Sequence, residues 1–131
     1  MPVLEPDAAS TDDQVRLTLP ALLPYSRVVR LAVTSLASRN GFSYDDVEDL
    51  RIAVGEMFAV VVDPPSPDAQ VRFTCTLHPE AIEVVGHREP PAPIAEVSDL
   101  TRQILAAVVD ESEIDQSGGR IRMRKRLEGR P

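Results

Sequence analysis

The chain of 131 residues has no tryptophan, a single cysteine and only 4% aromatic residues. One cysteine excludes an internal disulfide. Cys75 sits in an alternating apolar run, which reads as a small buried hydrophobe in a reducing compartment. The apolar runs are short, far from the roughly 18 residues needed to span a bilayer. No basic side chain precedes Arg16, the reverse of a secretory signal. The expectation is a cytoplasmic protein that does not meet a membrane. Positive charge is also scarce, with 14 Lys and Arg against 21 Asp and Glu. What is present is enough for a core: Leu, Ile, Val and Phe total 37 of 131 residues, above the roughly 20% typical of disordered chains. That supports one globular domain and excludes collagen-like and coiled-coil classes.

The net charge of −7 conceals an asymmetry. Residues 1–119 carry eight Lys/Arg against twenty Asp/Glu, a balance of −12, whereas residues 120–131 carry six against one, a balance of +5. An acidic body argues against nucleic acid as a partner and for a protein with basic surface. The basic tail has two readings, a phosphate-binding strip or the solvated face of a strand. Ile121, Met123 and Leu127 alternate with arginines, as on a half-buried strand.

Residues 1–13 read as a disordered acidic leader and 14–131 as one domain. Val15, Leu17 and Leu19 alternate on a first strand that Pro20 ends. A helix follows from about Leu22 or Pro24 to Ser38, its apolar face supplied by Val28, Leu31, Val33, Ser35 and Leu36, and Asn40-Gly41 stops it. Ser43 caps a second helix, with Asp45 and Asp46 in its first turn. Val47, Leu50, Val54, Met57, Phe58 and Val61 recur along it at helical spacing until the Asp63–Pro67 stretch ends it. Phe42 reads as a hydrophobic staple onto this helix. Val71, Phe73, Cys75 and Leu77 give one strand, and Ile82 and Val84 another, with His78 in the exposed turn between them. Arg88–Ala95, rich in proline, is a loop. Ser98 caps a third helix to about Val109, and Ser117-Gly118-Gly119 turns a final hairpin. The order β-α-α-β-β-α-β-β defines an α+β two-layer sandwich: a mixed, mainly antiparallel sheet of about five strands with three helices on one face.

That order resembles a known family when read with Arg27-x-x-Arg30-Leu31-Ala32-Val33, Asn40-Gly41-Phe42 and Val47-Glu48-Asp49-Leu50-Arg51-Ile52-Ala53-Val54-Gly55-Glu56. The chain is similar to the bacterial anti-sigma-factor serine/threonine kinases, which share the histidine-kinase-like ATPase fold. The resemblance spans roughly residues 14–127 and is most specific in the second helix. It implies that Glu56 matches the general base that takes a proton from a partner's serine. It also implies an Mg²⁺-binding asparagine one helical turn later, an adenine-binding aspartate after the third strand, and a glycine-rich lid. Those positions hold Val60, Gly86 or His87, and Pro-Pro-Ala-Pro-Ile-Ala-Glu-Val. Valine has no oxygen for a hard cation, and proline has no N–H to offer a phosphate.

The resemblance therefore implies a scaffold that binds a sigma factor, a small antagonist protein or both, as a homodimer and without ATP hydrolysis. No cofactor is expected; ATP with Mg²⁺ is the ligand if the site is functional. Arg27 and Arg30, one turn apart on the first helix, are the candidate partner contacts. Two alternatives stand beside this reading: an active ATP-dependent kinase of an antagonist, with Glu56 as its base, and a non-catalytic module of a partner-switching system. Two histidines and one cysteine make no metal-ligand set.

Overall fold

A computed structural model describes residues 13–127. Five strands and three helices form the expected two-layer α+β sandwich: β1 (Asp13–Ala21), α1 (Ser26–Arg39), α2 (Tyr44–Val62), β2 (Ser66–His78), β3 (Ala81–Glu89), α3 (Asp99–Val108), β4 (Glu111–Asp115) and β5 (Arg120–Arg126). The strand order is β1-β2-β3-β5-β4, and every pairing is antiparallel. The expected leader lies outside the described residues except for Asp13, which opens β1 opposite Leu77.

Local chemistry sets the helix ends. Gly41, at φ +89°, carries the chain out of α1 in the left-handed region that glycine enters without steric cost. Ser43 Oγ then accepts the Asp46 N–H at 3.1 Å, and Ser98 Oγ accepts that of Thr101 at 3.1 Å. Leu50, Ala53, Val54, Met57, Phe58, Val61 and Val62 make α2 the buried spine of the helical layer. The Phe58 ring stacks on Phe73 of β2 with centroids 5.8 Å apart.

Four expectations need correction. Pro20 does not end β1; the strand runs to Ala21 through a register shift at Pro20/Ala21, because an edge strand tolerates a missing donor. The buried face of α1 is Val29, Val33 and Ala37, while Val28 and Leu31 are 43% and 63% exposed. Strand β3 continues to Glu89, so Gly86 and His87 are strand residues paired with Phe73 and Arg72, not residues beyond the strand. His78 is half-buried, 4.0 Å from Glu83, with its carbonyl accepting from Asn40 Nδ2.

The basic β5 is a strand with a solvated outer face. Arg122 pairs there with Glu83, Glu111 and Glu113, and the hydrogen bond it donates to Glu83 raises its pKa. Its inner face carries Ile121, Met123 and also Lys125, only 7% exposed. Lys125 Nζ donates to Val108 O at the end of α3 (2.9 Å) and to Asp49 of α2 (3.4 Å), and lies 3.7 Å from Asp46. One ammonium thus ties β5 to both neighbouring helices.

Candidate functional site

Two concave regions flank the N-terminal end of α1, and Leu23 lines both. The first is a cavity of about 340 Å³ between the end of α2 and the proline-rich loop. Ala59, Val60, Val62, Asp63 and Pro65 form one wall, and Ile94–Ser98 with Thr101 form the other. Glu56, the sequence candidate for a base, stands one turn before Val60. Its Oε1 accepts the Thr101 hydroxyl at 3.0 Å. Thr101 Oγ1 in turn accepts from Ser98 Oγ at 3.2 Å. The acid is therefore engaged in a polar link between α2 and α3.

The residues around this cavity do not fit an Mg-nucleotide. Its lining contains no Lys, Arg, Asn or Gly, and its two titratable side chains are the carboxylates of Asp63 and Glu96. The start of α3 would ordinarily attract a phosphate. Here Ser98 already takes an N–H of the first turn, and Asp99 adds negative charge. The loop across the cavity is also fixed. Ile94 and Val97 are buried, Ile94 N–H donates to Gln116 O at 2.8 Å, and Gln116 Nε2 donates to Ala95 O at 3.2 Å. Gly119 presses so closely on Ala92 that a Cβ would stand 2.2 Å from the Ala92 carbonyl oxygen.

Gly86 and His87 do not join Val60 here. Gly86 lies under the Phe73 ring, where a Cβ would come within 2.7 Å, and His87 Nδ1 is 3.5 Å from Glu89. Among the described residues, no group of three or more His, Cys, Asp or Glu is placed to hold a metal ion. Cys75 is buried in the core, and desolvation pushes its thiol up to about 12, so it is no nucleophile.

The second region is a groove of about 530 Å³ between α1 and α2, lined by Leu23, Pro24, Arg27, Arg30, Leu31, Thr34 and Arg51. The two arginines expected from the sequence are brought together here, and Arg51 of α2 is a third that the sequence reading missed. Its spacing from Glu48 hints only at the i,i+3 pair it makes, at 2.8 Å; the hydrogen bonds it donates to Glu48 raise the Arg51 pKa. Arg30 rests its stem over Gly55, whose absent Cβ would lie 3.6 Å from Arg30 Cδ. Arg30 Nε is buried and has no hydrogen-bond partner. Leu23, Val28, Leu31 and Ile52 stand 56, 43, 63 and 40% exposed. Apolar side chains in water with guanidinium groups beside them suit capture of a protein segment bearing carboxylates.

The fold is that of a histidine-kinase-type ATPase scaffold, in which a groove of exposed apolar and cationic side chains lies beside a small acidic cavity. A crystal structure of the RsbU and RsbW domains of Rv1364c from Mycobacterium tuberculosis shares this fold: TM-score 0.65 at 17% identity over 87% of this chain and 32% of that one. Among curated proteins, the chain is 45% identical over 51 residues to the "Serine-protein kinase RsbW" of Halalkalibacterium halodurans, covering 39% of this chain and 32% of that protein. It is 36% identical over 76 residues to the protein of the same name from Bacillus cereus (strain B4264), covering 56% and 48%. The matches thus span between about a third and a half of those relatives. No family model matches the chain. Over the part of the chain they cover, these likenesses are to proteins named serine-protein kinase RsbW. No helix among the described residues is long and apolar enough to cross a membrane.

Proposed function

We propose that this chain is an anti-sigma-factor-like regulator that captures a sigma factor, a small antagonist protein or both through the α1–α2 groove, without hydrolysing ATP. The observation that carries the proposal is the groove itself. Leu31 is 63% exposed beside Arg27 and Arg30, an expense in apolar surface that a chain with no partner has no reason to keep. Arg27 and Arg30 serve as contacts, with Leu23 and Leu31 as apolar anchors. The active form is a homodimer in the cytoplasm, free of nucleic acid and membrane. The cavity beside Glu56 supports the non-catalytic part of this reading. Its lining offers phosphate no Lys, Arg or backbone glycine, its two carboxylates repel one, and Val60 brings no oxygen. A hydrogen bond to a charged group is worth about 1.5–3 kcal/mol. Loss of several such contacts takes micromolar binding to millimolar or weaker.

The second reading is an antagonist kinase with Glu56 as base, favoured by the position of Glu56 one turn from the cavity. Thermal unfolding with and without 5 mM Mg-ATP separates the two. A dissociation constant in the millimolar range gives about 1 kcal/mol of stabilisation or less, and Val60→Asn alone is expected to leave this unchanged. A clear ATP-dependent shift, or phosphate transfer abolished by Glu56→Gln, overturns the non-catalytic reading. Partner capture is tested by co-purification at low ionic strength. The Arg27→Glu/Arg30→Glu chain is expected to lose sigma factor or antagonist, and retention of both refutes the groove as the contact.

A further inference from the structure

Both layers of the sandwich end at one edge, and neither end is closed. β1 is the last strand of the sheet, and among the described residues nothing pairs with its outer side. It is nine residues long, turns Val15, Leu17 and Leu19 inward, and carries only Asp13 and Arg16 as charges; its proline and bulge come at the far end. A free edge of this kind templates another strand, and edges that must stay single are short or charged. β4, at the opposite edge, is both: five residues, three of them acids, and almost wholly exposed.

α1 ends the helical layer above this strand. Asp13, Gln14 and Val15 line a cavity with Leu36 and Arg39, which sets that flank of the helix beside β1. The helix turns Arg27, Arg30 and Thr34 toward the α2 groove and the Val29–Val33–Ala37 stripe into the core. At about 100° per residue the flank that remains carries Val28, Ala32, Ser35 and Leu36, small or apolar until Arg39 closes the helix. Val28 is 43% exposed, and Leu36 is only partly buried. The chain carries a net charge of −7, yet β1 and this flank hold one acid and two arginines. Two copies meet here without the repulsion of the acidic remainder.

We propose that two copies of the chain join along this edge, β1 antiparallel to β1 across a two-fold axis at Leu17, with the two α1 helices packed flank to flank. Residues opposite each other in an antiparallel ladder share a face, so the axis lies at a residue rather than between two. At Arg16 it would set like charges against each other. At Leu17 all nine residues of the strand pair, Val15 opposite Leu19 and Arg16 opposite Thr18. The helical layer agrees with this register. Asp13 to Leu17 is about 13 Å of strand, or about nine residues of helix; counted back from Leu36 and Arg39, the axis passes beside Val28. A lone strand from another protein would fill the sheet edge and leave the α1 flank in water, whereas a second copy covers both. The α1–α2 groove lies on the other flank and stays open in the pair. The inference gives the proposed homodimer its surface and rests on that part of the reading.

The test uses the full chain in sedimentation velocity and amide hydrogen exchange at 200 μM. The wild-type chain is expected to sediment as a dimer. Val28→Glu/Ala32→Glu and Val28→Lys/Ala32→Lys each set like charges across the axis and are expected to sediment as folded monomers. An equal mixture of the two is expected to re-form a dimer, which misfolded chains would not do. The β1 amides that face away from β2 are expected to exchange at least tenfold faster in either double variant than in the wild type. A dimer that survives both double variants, a mixture that stays monomeric, or outward β1 amides that exchange freely in the wild-type dimer overturns this surface and leaves the homodimer standing. A monomeric wild type overturns the surface and the homodimer together. None of these results bears on sigma-factor co-purification, so partner capture is tested apart.

Discussion

Replacing Lys125 with methionine tests whether the buried ammonium fastens the two layers. The substitution keeps an unbranched side chain of similar length and removes only the charge and its donors. Lost are the hydrogen bonds to Val108 O (2.9 Å) and Asp49 (3.4 Å) and the ion pair to Asp46 (3.7 Å). Left behind are a carbonyl at the end of α3 and two carboxylates near the start of α2. Breaking a buried pair by removing one partner costs about 3–5 kcal/mol. The Asp49 side chain is 39% exposed and can hydrate, which points to the lower end, about 3 kcal/mol. With an unfolding entropy of about 2.1 cal/mol/K per residue, 131 residues convert this to a fall in Tm of about 11 °C. Urea unfolding followed by far-ultraviolet circular dichroism at pH 7 gives the free energy directly, with an unchanged slope confirming the same transition. Asp49→Asn should cost less in the Lys125→Met background than in the wild type, because the charge it met is gone. A Lys125→Met chain within about 0.5 kcal/mol of wild type would refute the reasoning, as would strict additivity of the two changes.

Two further predictions concern the core. Phe58→Ala removes a fully buried ring stacked on Phe73 and should cost about 3–5 kcal/mol by the same urea assay; a loss under 1.5 kcal/mol means the ring is not a core element. Burial moves the Cys75 thiol from its ordinary 9.0 to about 12. The native thiol therefore keeps its proton after the unfolded one has lost it, and its contribution is complete below pH 9 and lost as pH climbs toward 12. At pH 10 the loss is about 1.4 kcal/mol. Stability curves of wild type and Cys75→Ala should converge by that amount between pH 8 and pH 10, and parallel curves would contradict it.

The elements most legible in the sequence were those whose ends are set by local chemistry. Ser43 and Ser98 accept first-turn N–H groups as their positions suggested, and Gly41 leaves α1 through positive φ. The face of α1 was not legible. Val28, Val29, Leu31, Val33, Leu36 and Ala37 place apolar side chains around much of its circumference, so periodicity does not choose a side. Packing chooses the narrow Val29–Val33–Ala37 stripe and leaves Leu31 in water. Lys125 shows the converse. Its parity with Ile121 and Met123 places it inward, but a lysine in a basic run reads as solvated until Asp46, Asp49 and Val108 O come together from other elements. The candidate site was legible in part. Arg27, Arg30 and Glu56 were visible in motif positions, whereas Arg51 and Thr101 enter only through tertiary packing. Gly86 and His87 were misplaced because β3 outruns its obvious Ile82/Val84 alternation.

The proline-rich loop has a kinetic consequence. It is bolted to the β4–β5 hairpin through Ile94, Ala95 and Gln116, and Gly119 leaves no slack against Ala92. The mouth of the small cavity is therefore a wall rather than a door. A ligand bound there would find a fixed opening with no loop built to close over it, so improvement in affinity would appear in the rate of departure. Loosening the wall requires prising the hairpin from the loop. Such slow, sheet-coupled motion would register at Gln116 and Gly119, well away from the ligand.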